Sequence, residues 1–109
     1  MDMVFPMEYS LLAKDQSSCT QLKGILNDAE KKKKFSQTRF GEHTLWTHGS
    51  EKTLIYVPVS LRDEIMDWYH SSLHHPGTVR MSLMIMKYSY WYGIEKDITN
   101  FVSKCATCQ

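Results

Sequence analysis

His70-Ser71-Ser72-Leu73-His74-His75-Pro76-Gly77 gathers three histidines at the end of a helical pattern. About 30 residues later, after another helical pattern, Cys105-Ala106-Thr107-Cys108 sets two thiols three positions apart. Zinc takes four nitrogen or sulfur ligands in a tetrahedron, and a set filled entirely by protein is structural, not catalytic. A Cys-x-x-Cys turn curls its backbone round the ion and brings both thiolates to it. Two thiolates with two neutral imidazoles cancel the charge of the ion, so the site tolerates partial burial. Either half alone is a weak signal, because a lone Cys-x-x-Cys fits redox chemistry equally well. Together, across a segment too short for a large core, they predict one structural Zn2+ held by two histidines, Cys105 and Cys108. Spacing leaves the histidine pair open. His70 and His74 share one face of a continuing helix, whereas His75 sits directly before the Pro76-Gly77 break.

Outward from this stretch the chain reads as three helices. The first covers residues 60–70, with Ser60 as N-cap and Asp63 completing a capping box. Leu61, Ile65, Trp68 and Tyr69 form its apolar stripe. The second runs from about Thr78 to Lys87, with Val79, Leu83 and Met86 inward. The third runs from about Glu95 to Lys104, with Ile94, Ile98, Phe101, Val102 and Cys105 at amphipathic spacing.

Residues 35–59 read as a β-hairpin: Thr44–Thr47 and Thr53–Val57 are β-rich, His48–Lys52 supplies the turn, and Pro58 ends the second strand. Residues 1–34 read as a helical linker segment with Leu11, Leu12, Leu22, Ile25 and Leu26 on one face and Pro6 at a first helical position. Gln16-Ser17-Ser18 and Gly24 weaken a continuous helix, so two short helices are the alternative. Lys31-Lys32-Lys33-Lys34 is a charge run. Its plain reading is a solvated helix end, and the sharper one is a phosphate-contacting patch. The fold class is therefore mainly α with a small hairpin: a zinc-stabilised, helix-turn-helix-like three-helix bundle over 60–109, preceded by a helix and a hairpin.

Composition agrees with this and excludes several classes. The chain has 109 residues, 42% hydrophobic and 12% aromatic, with net charge +1. A unit of roughly 50 residues buries little apolar surface and needs a metal, a disulfide or a partner. Three cysteines with one tight pair suit reduced thiols, hence a cytoplasmic and nuclear setting. No run approaches the ~20 apolar residues of a membrane span, and Met1–Pro6 lacks the basic and apolar regions of a signal peptide. Cys19 reads as a small buried residue, and His43 and His48 as exposed or hydrogen-bonded histidines. Trp68, Tyr69, Tyr88, Tyr90 and Trp91 read as core, not as a base-stacking platform.

The series His70…His75-Pro76-Gly77, Tyr90-Trp91-Tyr92-Gly93, Asp97 and Cys105-Ala106-Thr107-Cys108-Gln109 resembles the His-His-Cys-Cys zinc-binding domain at the N-terminus of retrotransposon and retroviral integrases, the gypsy class above all. Leu54–Pro58 with Leu61-Arg62 resembles the strand and helix start that lead into it, and residues 5–16 resemble the linker after an RNase H segment. Tyr92 stands where the family more often has proline. The resemblance implies His70, His75, Cys105 and Cys108 as the ligands. It implies a part in DNA integration through integrase self-association and contact with element DNA ends, as a fragment of a longer polyprotein, with no membrane partner. Arg80, Lys87, Lys96 and Lys104 are the expected phosphate contacts. Catalysis belongs to a separate core in that family, so no enzyme activity is expected of this chain by itself. The alternative is a domesticated zinc-finger adaptor that binds protein instead of DNA; it predicts the same metal site without salt-dependent DNA affinity.

Overall fold

A computed structural model of the chain describes residues 6–49, 53–73 and 77–104. Among these it shows six α-helices and a four-stranded sheet, so the fold is mixed α/β and the sheet exceeds the expected hairpin. The N-terminal segment forms three short helices, α1 (Tyr9–Ser17), α2 (Thr20–Leu26) and α3 (Ala29–Lys32). Pro6 precedes the first of them instead of starting it. The breaks fall near Ser18 and Asn27, where short polar side chains compete with helical hydrogen bonding. Asp28 caps α3 by accepting from the Glu30 and Lys31 N–H groups at 3.0 and 3.2 Å.

The sheet runs β1 (Phe35–Phe40), β2 (His43–His48), β3 (Leu54–Tyr56) and β4 (Ser89–Tyr90), in that spatial order. The expected hairpin is present as β2 and β3, paired antiparallel at Thr47↔Ile55 and His48↔Leu54. A second hairpin lies before it. Its two-residue turn carries Gly41 at φ 64°, which an ordinary residue adopts only at a cost. β4 pairs in parallel with β3, with Val57 N–H donating to the Tyr90 carbonyl at 3.0 Å.

α4 (Arg62–Ser72), α5 (Thr78–Ile85) and α6 (Ile94–Ser103) match the three expected helices in number and place. The expected capping box does not form. A 3-10 turn over Val59–Leu61 leads into α4, Leu61 takes the cap position, and Ser60 Oγ instead donates to Asp15 Oδ2 at 2.7 Å. Two apolar faces differ from expectation. Val79 and Leu83 are 75% and 69% exposed and Met86 is half-buried, while Met81 and Ile85 point inward. Turning Val79 and Leu83 inward would carry Arg80 and Lys87 toward the core, since a helix advances about 100° per residue. Trp68 is also exposed, and Met66 takes its place beside Ile65 and Tyr69.

A single buried cluster runs from Leu12 and Leu22 through Leu45, Ile55 and Tyr56 to Ile65, Met81, Trp91 and Ile98. Buried polar groups stitch it together. Gln16 Nε2 donates to the carbonyls of Trp46 and Tyr56, and its Oε1 accepts from the Trp46 N–H. Arg62 donates to the Val57 carbonyl, Gln21 Oε1 and Tyr56 Oη, with its guanidinium over the rings of Tyr56 and Trp91.

Candidate metal centre

His70 lies in the last turn of α4, the turn that closes with Leu73 N–H donating to the Tyr69 carbonyl at 3.0 Å. Tyr69 and Ile65 root that face of the helix in the core, so His70 is carried inward and is only 4% exposed. Its ring packs edge-on against Phe101, with centroids 5.7 Å apart and planes at 79°. Phe101 sits in the last turn of α6, one helical turn before Cys105 in sequence. The two C-terminal turns that precede the expected ligand segments therefore meet.

His74, His75, Cys105 and Cys108 lie outside the described residues. Of the expected ligand set, His70 is the described member. Among the described residues no cluster of three or more histidine, cysteine or acidic side chains is poised around an ion.

The local electrostatics fit a cation. Each helix C-terminus carries a partial negative charge equivalent to roughly half an elementary charge, and the ends of α4 and α6 come together at His70 and Phe101. Asp67 and Asp97 line the groove between these helices along with His70, Asn100, Phe101 and Lys104. The donor chemistry also fits zinc. An imidazole already held against an apolar ring, with a Cys-x-x-Cys segment following the neighbouring helix, supplies borderline and soft ligands of the kind that ion prefers.

The loop into α6 is built to hold this geometry. Trp91, fully buried, donates from Nε1 to Asp97 Oδ2 at 2.8 Å. Ile94 N–H donates to the Trp91 carbonyl across Tyr92-Gly93, with Gly93 at φ 81°. A positive φ at the third residue of such a turn is the type II arrangement. The Trp91–Asp97 bond ties the start of α6 to the core; both residues stand in the family-like series, but nothing in the sequence shows that they meet. Arg62 was visible only as part of a helix start, and a lone arginine gives no hint that its head group will be buried.

The expected phosphate contacts, Arg80, Lys87, Lys96 and Lys104, are all exposed. They do not form one row. Lys104 lines the α4–α6 groove, whereas Lys87 lines the α5–α6 groove with Val79, Leu83 and Glu95. Cys19 is buried, as expected. Of the aromatic set, Tyr69 and Trp91 are core, Tyr88 and Tyr90 are half-buried, and Trp68 is 44% exposed.

Residues 57–109 match the model of the integrase zinc-binding domain. The chain is 28% identical over 103 residues to the uncharacterized protein K02A2.6 of Caenorhabditis elegans, covering 88% of this chain and 8% of that one. It is 30% identical over 93 residues to the transposon Tf2-3 polyprotein of Schizosaccharomyces pombe, covering 83% of this chain and 7% of that one. The Tf2-4 polyprotein of the same yeast matches to the same extent. The chain thus spans less than a tenth of the length of these relatives. No solved structure matches it.

Proposed function

We propose that this chain, whose residues 57–109 belong to the integrase zinc-binding domain family, is an architectural piece of a retroelement integrase that supports its multimerisation and its hold on element DNA ends. Zn2+ is the metal of that family and the cofactor of this segment. The likeness to transposon polyproteins supports a retroelement origin. His70, His75, Cys105 and Cys108 are the proposed ligands, within a zinc-binding unit of residues 60–109. The observation that carries the assignment is the buried His70 ring against Phe101, which joins the end of α4 to the end of α6. Bound there, zinc ties the two helix ends together and supplies the cross-link that a core of this size lacks.

The chain's own residues then do the rest. Val79 and Leu83 leave an apolar strip on α5 with Lys87 and Glu95 at its margin, suited to cover by another integrase subunit. Arg80, Lys87, Lys96 and Lys104 are the proposed phosphate contacts, and catalysis is assigned to a separate part of the integrase.

Metal analysis of the purified chain tests this directly, with one zinc per chain expected and none refuting it. The ligand choice is tested by comparing two variants. His75→Ala is expected to lose zinc more severely than His74→Ala, and the reverse ranking would assign the fourth ligand to His74. A zinc-replete chain with no salt-dependent affinity for DNA would favour the protein-binding adaptor instead.

A further inference from the structure

The lysine run takes no part in the proposed metal centre. Between residues 28 and 39 the chain carries five cations against two carboxylates, in a molecule whose net charge is only +1. Both carboxylates are already engaged. Asp28 caps α3, and Glu30 pairs with Lys33 at 3.1 Å, the only ion pair among the described residues. Lys31, Lys32, Lys34 and Arg39 are exposed.

The backbone beneath these cations is fixed. Lys32 N–H donates to the Asp28 carbonyl at 2.8 Å, Lys34 N–H to the Lys31 carbonyl at 3.3 Å, and Gly49 N–H to the Lys34 carbonyl at 3.0 Å. The last bond ties the run to the end of β2, where His48 stacks on Tyr90 with centroids 3.7 Å apart. Lys34 lies close enough for its charge to act on the His48 ring. β1 leaves Lys34 as an outer strand of the sheet and carries Arg39 near its far end. Five residues of strand cover about 17 Å at ~3.3 Å each. Phosphates follow one another every ~3.4 Å of axis on each DNA strand, so this surface spans about five phosphates of either strand.

We propose that Lys31, Lys32, Lys34 and Arg39 form a phosphate-binding surface, separate from α5 and α6, that lays duplex DNA along the outer edge of the sheet. It rests on the proposed function only for DNA being the polyanion this chain meets. Exposed cations on a fixed backbone contact phosphates and read no bases.

The test is fluorescence anisotropy of the zinc-loaded full chain with a mixed-sequence duplex, titrated over a range of NaCl. Each phosphate contact contributes about 0.9 to the slope of log Kd against log salt. The variant K31Q/K32Q/K34Q is expected to lower that slope by about 2 to 3. A tract variant with an unchanged slope, beside an α6 variant K96Q/K104Q that lowers it, overturns this surface and leaves the proposed function standing. Loss of slope in the tract variant alone supports the surface and removes those α6 contacts from the proposed function. No duplex affinity in the wild-type chain overturns both. A tract variant that aggregates with its slope intact shows that the lysines only guard an edge strand, and overturns the surface. Binding to phosphatidylserine vesicles without duplex binding does the same.

Discussion

Replacing Gln16 with methionine should destabilise the whole fold, although the residue touches no expected ligand. β2 and β3 share two register pairs, and beyond them the strands diverge. The Gln16 amide fills the gap, donating to the Trp46 and Tyr56 carbonyls at 3.1 and 2.8 Å and accepting from the Trp46 N–H at 2.7 Å. Methionine keeps the side-chain length and offers none of these bonds. Three backbone groups then lose their partner, each at roughly 1–3 kcal/mol when buried. Relaxation and water entry reduce the sum, so a loss of about 3–5 kcal/mol is expected. At several degrees per kcal/mol for a domain of this size, Tm falls by on the order of 15 °C. The assay is urea and thermal unfolding of the zinc-loaded chain. Gln16→Glu sharpens it. A carboxylate there keeps the bond from Trp46 N–H but faces two carbonyl oxygens, so its pKa in the folded state is raised above the ordinary ~4.3. Its stability is then fullest below pH ~4.3 and is lost as pH rises through the folded value. Gln16→Met within about 1 kcal/mol of wild type, or Gln16→Glu with no pH slope of its own, would refute the reasoning, since an unmade buried hydrogen bond costs at least that much.

The buried Tyr69 hydroxyl has no hydrogen-bond partner among the described residues, and burial, with Tyr88 beside it, pushes its pKa up to about 12. Stability linked to neutral Tyr69 is therefore complete below pH ~10 and is lost as pH rises toward about 12; Tyr69→Phe should flatten that alkaline limb and hold or raise stability at neutral pH, both read by denaturant melts. Gly93→Ala should cost about 1–2 kcal/mol because alanine resists a positive φ. Tyr92→Pro should be neutral or stabilising by up to about 1 kcal/mol, since proline suits the second position of a type II turn; thermal melts of the two variants check both. Chelation should remove amide-exchange protection from α6 and the C-terminal turns of α4 while protection at β1 and β2 persists; unchanged exchange and circular dichroism would contradict it.

The helices of the C-terminal half are legible because their periodic signals are strong. Helix periodicity predicts three helices there, and α4, α5 and α6 stand close to the expected ranges; of the expected ligands only His70 is among the described residues. The sheet was harder to read. β1 mixes Phe35 and Phe40 with Ser36, Gln37 and Arg39, so its pattern is weak, and β4 is only two residues long. A parallel pairing between β3 and β4 depends on contacts made through two intervening helices, which no local window contains. The inward face of α5 is hard to choose from sequence because Val79/Leu83 and Met81/Ile85 are equally spaced stripes on a helix with five apolar residues in eight. Only the positions of Arg80 and Lys87 separate them. The Gln16-Ser17-Ser18 run suggests a helix interruption, yet Gln16 is a buried joint within α1; glutamine in a helix gives no sign of which backbone groups it will meet.

These joints change how the metal can act. α4 is held at its start by Arg62, whose head group reaches Gln21 on α2, Tyr56 on β3 and the face of Trp91. Its last turn carries His70, against the last turn of α6. The two anchors lie eight residues, or about 12 Å, apart along α4, one in its first turn and one in its last. One is a buried cation hydrogen-bonded into the N-terminal half, and the other is the proposed ligand. β4, lying between α5 and α6 in sequence, is fastened to β3. Zinc therefore does not have to build the unit from nothing. The N-terminal half shares one buried cluster with the apolar faces of the helices, and an ion at the proposed site would join the last turns of α4 and α6. Substituting Arg62 should consequently weaken zinc retention from a distance, because a ligand helix free at its start presents His70 less well. Its effect on fold stability should exceed that of any single exposed cation on α5 or α6.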